Sequence, residues 1–312
     1  MDKQEIIELL RADMRGEHQA IIQYLFHAYG MAEGEVTCEV EAIAREEMRH
    51  FDWLADAIIE LGGDPTLERE PVDFTPGSPQ EMMAKDVGLE QVAIDQYRDH
   101  IERIDDPAIR RLLARILHDE LVHKGVFQDL IVEAEEQGLG PAAPAEAKPP
   151  ERLAEILNQG IRHEYTVILQ YLYHAFVAKD KELAEELEMS AINEMQHMGW
   201  LAEALAGRGG KPDMSHTELF LSRDPAANLE ADIAVEQEVT GDYSSQIPEL
   251  QDQELIDLVE RIRDHEIYHD AVFKDLLEEV RGEQQASEPA EPEPPEEKKA
   301  PRHPPTVGSL KK

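Results

Sequence analysis

The sequence predicts an all-α protein of two tandem four-helix bundles, each with a long crossover between its second and third helices, and a disordered C-terminal tail. Three observations carry this reading. Aromatic residues make up 5% of the 312 positions while Glu, Ala, Leu, Ile and Arg abound, which favours helices over sheets. Each half holds four segments whose apolar residues recur three to four positions apart. The chain also repeats itself.

GEHQAIIQYLFHAY at 16–29 returns as RHEYTVILQYLYHAF at 162–176, and REEMRHFDWLADAI at 45–58 returns as INEMQHMGWLAEAL at 192–205. DVGLEQVAIDQY at 86–97 returns as DIAVEQEVTGDY at 232–243, and ILHDELVHKGVFQDL at 116–130 as IRDHEIYHDAVFKDL at 262–276. The offset is 147 residues for the first two pairs and 146 for the last two, so a tandem duplication accounts for all four.

The spacing places helices over 3–30, 36–61, 79–103 and 107–136, then over 151–178, 181–206, 227–247 and 251–281. The longest connection in each half lies between its second and third helices, the mark of a bundle with one long crossover. Gly and Pro in QGLGPAAPAEAKPP mark residues 137–150 as a linker between a first domain at 1–136 and a second at 151–282.

A formal net charge of −38 argues against nucleic-acid binding, since little here would neutralise a phosphate backbone. The same charge suits either a generic solubilising surface or a field that concentrates cations. Cys38 is the only cysteine, so no disulfide framework or cysteine-rich metal site is expected. The acidic start MDKQEIIELLRADM does not read as a signal peptide, and no apolar run approaches the length of a membrane span. A soluble, cytoplasmic protein without a membrane partner is the expectation.

The apolar faces contain acids. On the second helix the stripe runs Val40, Ile43, Glu47, His50, Leu54, Ala57, Leu61; on the fourth it runs Ile109, Leu113, Ile116, Glu120, His123, Phe127, Leu130. Glu17 lies between Leu10 and Tyr24 on the first helix, and Glu90 between Met83 and Tyr97 on the third. The repeat gives Glu164, Glu194, His197, Glu236, Glu266 and His269. In each bundle four carboxylates and two imidazoles should therefore meet at one level. Isolated buried charges cost several kcal/mol each, so protons or metal ions must neutralise them. Two divalent cations balance four carboxylates, and mixed oxygen and nitrogen ligands suit Fe, Mn or Zn better than Mg or Ca. A lone Glu-x-x-His is commonly a solvated surface pair; four copies on apolar stripes are not. His27 and His174 also repeat, but histidines near helix ends read as capping or surface groups and stay outside the predicted site.

With these residues in view, each half resembles bacterioferritin and its ferritin-like relatives. The resemblance rests on E-x-x-A-I-x-Q-Y-x-x-H-A at 17–28, E-M-R-H at 47–50, D-V-x-L-E at 86–90 and D-E-x-x-H at 119–123. It implies a di-iron site in each bundle. Glu47 and Glu120 would bridge the metals, Glu17 and Glu90 would be terminal, and His50 and His123 would each give one nitrogen. Glu194 and Glu266, Glu164 and Glu236, and His197 and His269 take the same roles. Tyr24, Tyr97, Tyr171 and Tyr243 each follow a terminal Glu by seven residues and are expected to hydrogen-bond to the carboxylates, with a part in electron donation as a further role. Rubrerythrins carry an extra Glu where Ala93 and Val239 stand here, and usually a rubredoxin module, so the resemblance points away from a rubrerythrin-type peroxidase. Met48 and Met195 fall where bacterioferritin subunits supply a methionine to haem b across a dimer interface; simple packing of a helix surface is the plainer reading.

Residues 283–305 hold seven prolines among Glu, Ala and Lys, a composition expected to stay disordered and to reach roughly 70 Å when stretched. Thr306, Val307, Gly308, Ser309, Leu310 and Lys311, with Lys312 behind them, closely resemble the peptides that load cargo enzymes into encapsulin shells. Val307 and Leu310 suit small apolar pockets, Gly308 allows close backbone approach, and the lysines suit an acidic rim. The resemblance implies a ferroxidase inside an encapsulin nanocompartment, oxidising Fe(II) with O2 or H2O2 for mineralisation in the shell lumen. The rivals are a di-iron oxidase or peroxidase that removes O2 or H2O2, and a haem-binding cargo without ferroxidase turnover. Assembly into a homo-oligomer stays open.

Overall fold

The computed structural model describes residues 1–143 and 147–287. Among these the chain forms helices α1 (Lys3–Gly30), α2 (Glu35–Leu61), α3 (Pro79–Arg103), α4 (Pro107–Gln137), α5 (Glu151–Val177), α6 (Lys181–Ala206), α7 (Pro225–Gln246) and α8 (Gln253–Ser287). A short 3-10 turn, Ile247–Glu249, precedes α8. No strand occurs among the described residues; Met31 and Pro141 form one isolated antiparallel bridge.

Local chemistry sets the helix ends. Asp2 accepts from the Glu5 amide while Glu5 reaches back to the Asp2 amide, and Ser78 and Glu81 repeat this capping box in front of Pro79. Asp106, Asp180 and Asp224 cap α4, α6 and α7. Gly62 and Gly138 end α2 and α4 in the left-handed conformation, which costs glycine least. The expected boundaries fall within about two residues of those observed, the usual latitude of helix ends. The exception is α8, which runs past its expected end at 281 because Gly282 is followed by good helix formers.

Within the first bundle α1 packs beside α2 and α3 beside α4, with α1 against α3 and α2 against α4 closing the core; α5–α8 repeat the arrangement. The crossovers at 62–78 and 207–224 are tied to their bundles by equivalent glutamines. Gln23 exchanges hydrogen bonds with the Asp73 backbone, and Gln170 accepts from the Phe220 amide.

The bundles meet through α1 and α2 of one against α6 and α5 of the other. His18 Nε2 lies 2.6 Å from the Tyr165 hydroxyl, and these are repeat-equivalent positions. Phe51 packs near Phe176, with ring centroids 6.0 Å apart, and a continuous apolar core runs through the seam. Duplicated surfaces facing each other make a pseudo-twofold pair.

Candidate metal centres

The twelve predicted Glu and His side chains are all buried, none above 3% exposure, in the middle of the two bundles. Each helix delivers its acids on the apolar stripe, so the same packing that buries Leu10, Met83, Leu54 and Leu113 also buries the carboxylates. In the first bundle Glu17, Glu47, His50 and Glu120 bring ligand atoms within 4.8 Å of one another, and so do Glu47, Glu90, Glu120 and His123. Glu47 and Glu120 belong to both groups and therefore stand between two adjacent pockets. The second bundle does the same with Glu164, Glu194, His197 and Glu266, and with Glu194, Glu236, Glu266 and His269.

His50 Nδ1 faces three carboxylates at once: Glu47 at 2.8 Å, Glu120 at 3.0 Å and Glu17 at 3.4 Å. His123 Nδ1 lies 2.9 Å from Glu47 Oε1. In the second bundle His197 Nδ1 meets Glu194 at 2.7 Å and Glu266 at 3.0 Å, and His269 Nδ1 meets Glu194 at 2.6 Å.

Among the described residues, twelve buried side-chain oxygens and nitrogens lack a hydrogen-bond partner, and ten of them belong to these two clusters. Glu47 Oε1, Glu90 Oε2, Glu120 Oε1 and His123 Nδ1 are orphaned in the first; Glu164 Oε2, Glu194 Oε1, Glu236 Oε2, both Glu266 oxygens and His269 Nδ1 in the second. His123 Nδ1 and Glu47 Oε1 are close in space yet misaligned for a hydrogen bond, as atoms facing a common centre would be. Buried polar atoms are nearly always satisfied, so a cluster of orphans with this donor set fits metal ions.

Protons show how costly the pockets are without metal. Burial pushes the Glu17, Glu90, Glu164 and Glu236 carboxyls well up, with help from neighbouring carboxylates. Burial also opposes charge on Glu47 and Glu194, but the two imidazoles around each outweigh it and hold both carboxyls below the usual range. Against the same burial, the surrounding carboxylates raise His123 and His269 to about 9 and His197 to about 11. Shared protons thus do in part what cations would do better.

The four tyrosines are fully buried, and each phenol donates to a terminal carboxylate, but on the opposite helix. Tyr24 donates to Glu90 at 2.6 Å and Tyr97 to Glu17; Tyr171 donates to Glu236 and Tyr243 to Glu164. Met48 and Met195 are half-buried and pack against the shared apolar core. The terminal peptide, Thr306 to Lys312, lies outside the described residues.

His27 and His174 correct the sequence reading: neither is a cap or a surface group. Both are fully buried, His27 Nδ1 at 2.8 Å from Asp86 and His174 Nδ1 at 2.9 Å from Asp232. Asp86 and Asp232 lie one turn before Glu90 and Glu236 on the same helix face, so each pair forms a floor beneath its centre. The signal was present in the repeated Asp four residues ahead of each Glu. Four further neighbours were also missed, Glu46, Asp119, Asn193 and His265, because they sit beside the stripe rather than on it.

A ferritin-like domain model matches the chain twice, over residues 7–136 and 154–282. The bacterioferritin of Desulfovibrio desulfuricans is 29% identical over 134 residues, spanning 41% of this chain and 75% of that relative. The bacterioferritin of Rhodobacter capsulatus is 31% identical over 137 residues, spanning 42% of this chain and 76% of the relative. The X-ray structure of the Desulfovibrio desulfuricans bacterioferritin aligns at 27% identity with a TM-score of 0.40, covering 44% of this chain and 83% of that one. Each relative thus accounts for a share of this chain close to one bundle, whereas the domain model matches twice and spans well over half of the sequence. This chain belongs to the ferritin-like domain family.

Proposed function

We propose that this protein is a ferroxidase with a di-iron centre in each bundle, carried into an encapsulin shell by its terminal peptide to feed iron mineral into the lumen. The observation that carries the reading is the pair of buried clusters, each with four carboxylates, two imidazoles and a set of orphaned ligand atoms. Glu47 and Glu120 would bridge, Glu17 with His50 and Glu90 with His123 would complete the two metal positions, and the second bundle would repeat these roles.

Fe(II) enters as substrate. Two Fe(II) give up two electrons, which with two protons reduce O2 to H2O2, or H2O2 to two waters. The redox chemistry belongs to the iron, and the protein binds, orients and excludes water. Tyr24, Tyr97, Tyr171 and Tyr243 hold the terminal carboxylates in place by hydrogen bonds and stand close enough to donate an electron. Met48 and Met195 are assigned to packing, and haem b has no step in this reaction. A net charge of −38 would also raise the local concentration of Fe(II).

Rapid mixing of the anaerobic Fe(II)-loaded chain with O2, repeated with fresh iron, tests the reading. A fast phase of about four irons per chain that renews at each addition supports two working centres that hand iron on. A fast phase that never renews, with iron retained over many turnovers with a reductant, would replace storage by an oxidase or peroxidase role. Shell delivery is tested by co-expression with an encapsulin: removal of residues 306–312 should abolish co-purification.

A further inference from the structure

Behind the imidazoles of the two centres stand outer groups that differ between the bundles. Each of these histidines aims Nδ1 into its cluster and Nε2 outward. In the first bundle His123 Nε2 lies 2.8 Å from Glu46 Oε2, and His50 Nε2 lies 3.5 Å from Asp119 Oδ2. The repeat-equivalent positions in the second bundle hold an amide and an imidazole. His269 Nε2 is 3.5 Å from the Asn193 side chain, and His197 Nε2 is 2.9 Å from His265 Nδ1.

An imidazole that gives Nδ1 to a metal carries its proton on Nε2, and that proton needs an acceptor. Glu46 and Asp119 offer anionic oxygens, while Asn193 turns its amide nitrogen Nδ2 to His269 and His265 offers a ring nitrogen to His197. The two carboxylates are also held in position: Arg49 binds the other oxygen of Glu46 at 2.6 Å, and Arg115 binds Asp119 at 2.9 Å. In the second bundle Gln196 replaces Arg49, and Arg261, the counterpart of Arg115, lies over Trp200 instead. A carboxylate behind a histidine fixes the ring and raises the basicity of its ligating nitrogen, and such outer partners commonly change metal affinity ~10–100-fold.

We propose that the two centres are unequal, the first bundle binding divalent metal at least ~10-fold more tightly than the second, through Glu46 and Asp119 against Asn193 and His265. The proposal rests on the metal-centre reading above. The first centre then fills first and empties last, and the second exchanges its metal more readily.

Titration of the full chain with Co(II), followed by calorimetry and by the visible bands of the bound ion, reads this directly. The expected isotherm has two classes of site, ~10–100-fold apart, with Glu47→Ala removing the tighter class and Glu194→Ala the weaker. Asn193→Glu with His265→Asp should draw the weak class up to the tight one. The reciprocal change, Glu46→Asn with Asp119→His, should bring the tight class down, so either pair suffices if the other fails to fold. A single class in the native chain, the weaker class in the first bundle, or a gap unmoved by either exchange would overturn the proposal. If Co(II) binds in neither core, the metal-centre reading itself falls, an outcome distinct from equal binding in both.

Discussion

The two bundles share an inner set of side chains and part company one layer out. Glu17, Glu47, His50, Glu90, Glu120 and His123 have counterparts of identical type in the second bundle, with the tyrosines and the buried His–Asp floors repeated as well. Glu46 and Asp119 are replaced by Asn193 and His265, and the buried Asp13–His100 pair has Gly160 and Gln246 at its counterpart positions. At Gly160 an added side chain would meet Leu201 at 2.8 Å and the Tyr243 hydroxyl at 3.0 Å, so this absence is part of how the second core packs. The inner set is constrained by charge: four buried carboxylates need two imidazoles and about two divalent cations or a matching number of protons. The outer set only tunes what the inner set holds, and it can vary without undoing the cluster.

Substitutions that remove one centre should have the largest effect. Glu47→Ala should abolish fast Fe(II) oxidation in the first bundle and halve the fast phase of the whole chain, with Glu194→Ala doing the same in the second. Loss of both phases from either single change would contradict independent bundles.

The buried floors come next. Asp86→Leu leaves His27 Nδ1 without a partner and Asp232→Leu does the same to His174 Nδ1, each at a cost of about 1–3 kcal/mol, while Nε2 keeps its bond to Gln23 or to the Phe220 carbonyl. Thermal unfolding should show losses of the same order for the two, since both pairs are fully buried, with Asp232→Leu the larger because Asp232 also accepts from Gln170. A much larger effect in one bundle would show that the floors are not equivalent.

Proton coupling gives a third comparison. In the metal-free chain His123, His197 and His269 are raised above an unfolded value of about 6.5. Their contribution to stability is full below that pH and is lost as pH climbs through about 9 to 11. The raised carboxyls of Glu17, Glu90, Glu164 and Glu236 act in the same direction. Metal displaces these protons, so its binding strengthens over the same rise. The metal-free chain should therefore melt at lower temperature as pH rises above neutral, while the gap between loaded and metal-free chain widens. Calorimetry in buffers of different ionisation heat should detect the released protons.

The smallest effect should come from the phenols. Tyr24→Phe removes one hydrogen bond to Glu90, worth about 1 kcal/mol, and leaves the ring packed against Phe127. A modest slowing confined to the first bundle is expected, and a complete loss of oxidation would assign the phenol a redox role instead.

Most of the fold was legible because periodicity and repetition supported each other. Val40, Ile43, Leu54 and Ala57 keep a strict stripe, and Glu47 and His50 can belong to it only if something neutralises them. His27 was misread because a position near a helix end usually means solvent; in this bundle the crossover and Asp86 cover that end. The partners of the tyrosines were beyond sequence, since Tyr24 and Glu17 share a helix while the bond runs to Glu90 across the bundle. The outer groups were missed for a related reason: Glu46 and Asp119 precede the ligands by one residue and look like solvated acids.

The most direct test of the two-centre account is crystallographic. Crystals grown anaerobically with Fe(II), measured on both sides of the iron edge, should show a pair of anomalous peaks in each bundle. One pair should lie among Glu17, Glu47, His50, Glu90, Glu120 and His123, and the other among Glu164, Glu194, His197, Glu236, Glu266 and His269. Iron bound only on the acidic surface, with both cores empty, would contradict it.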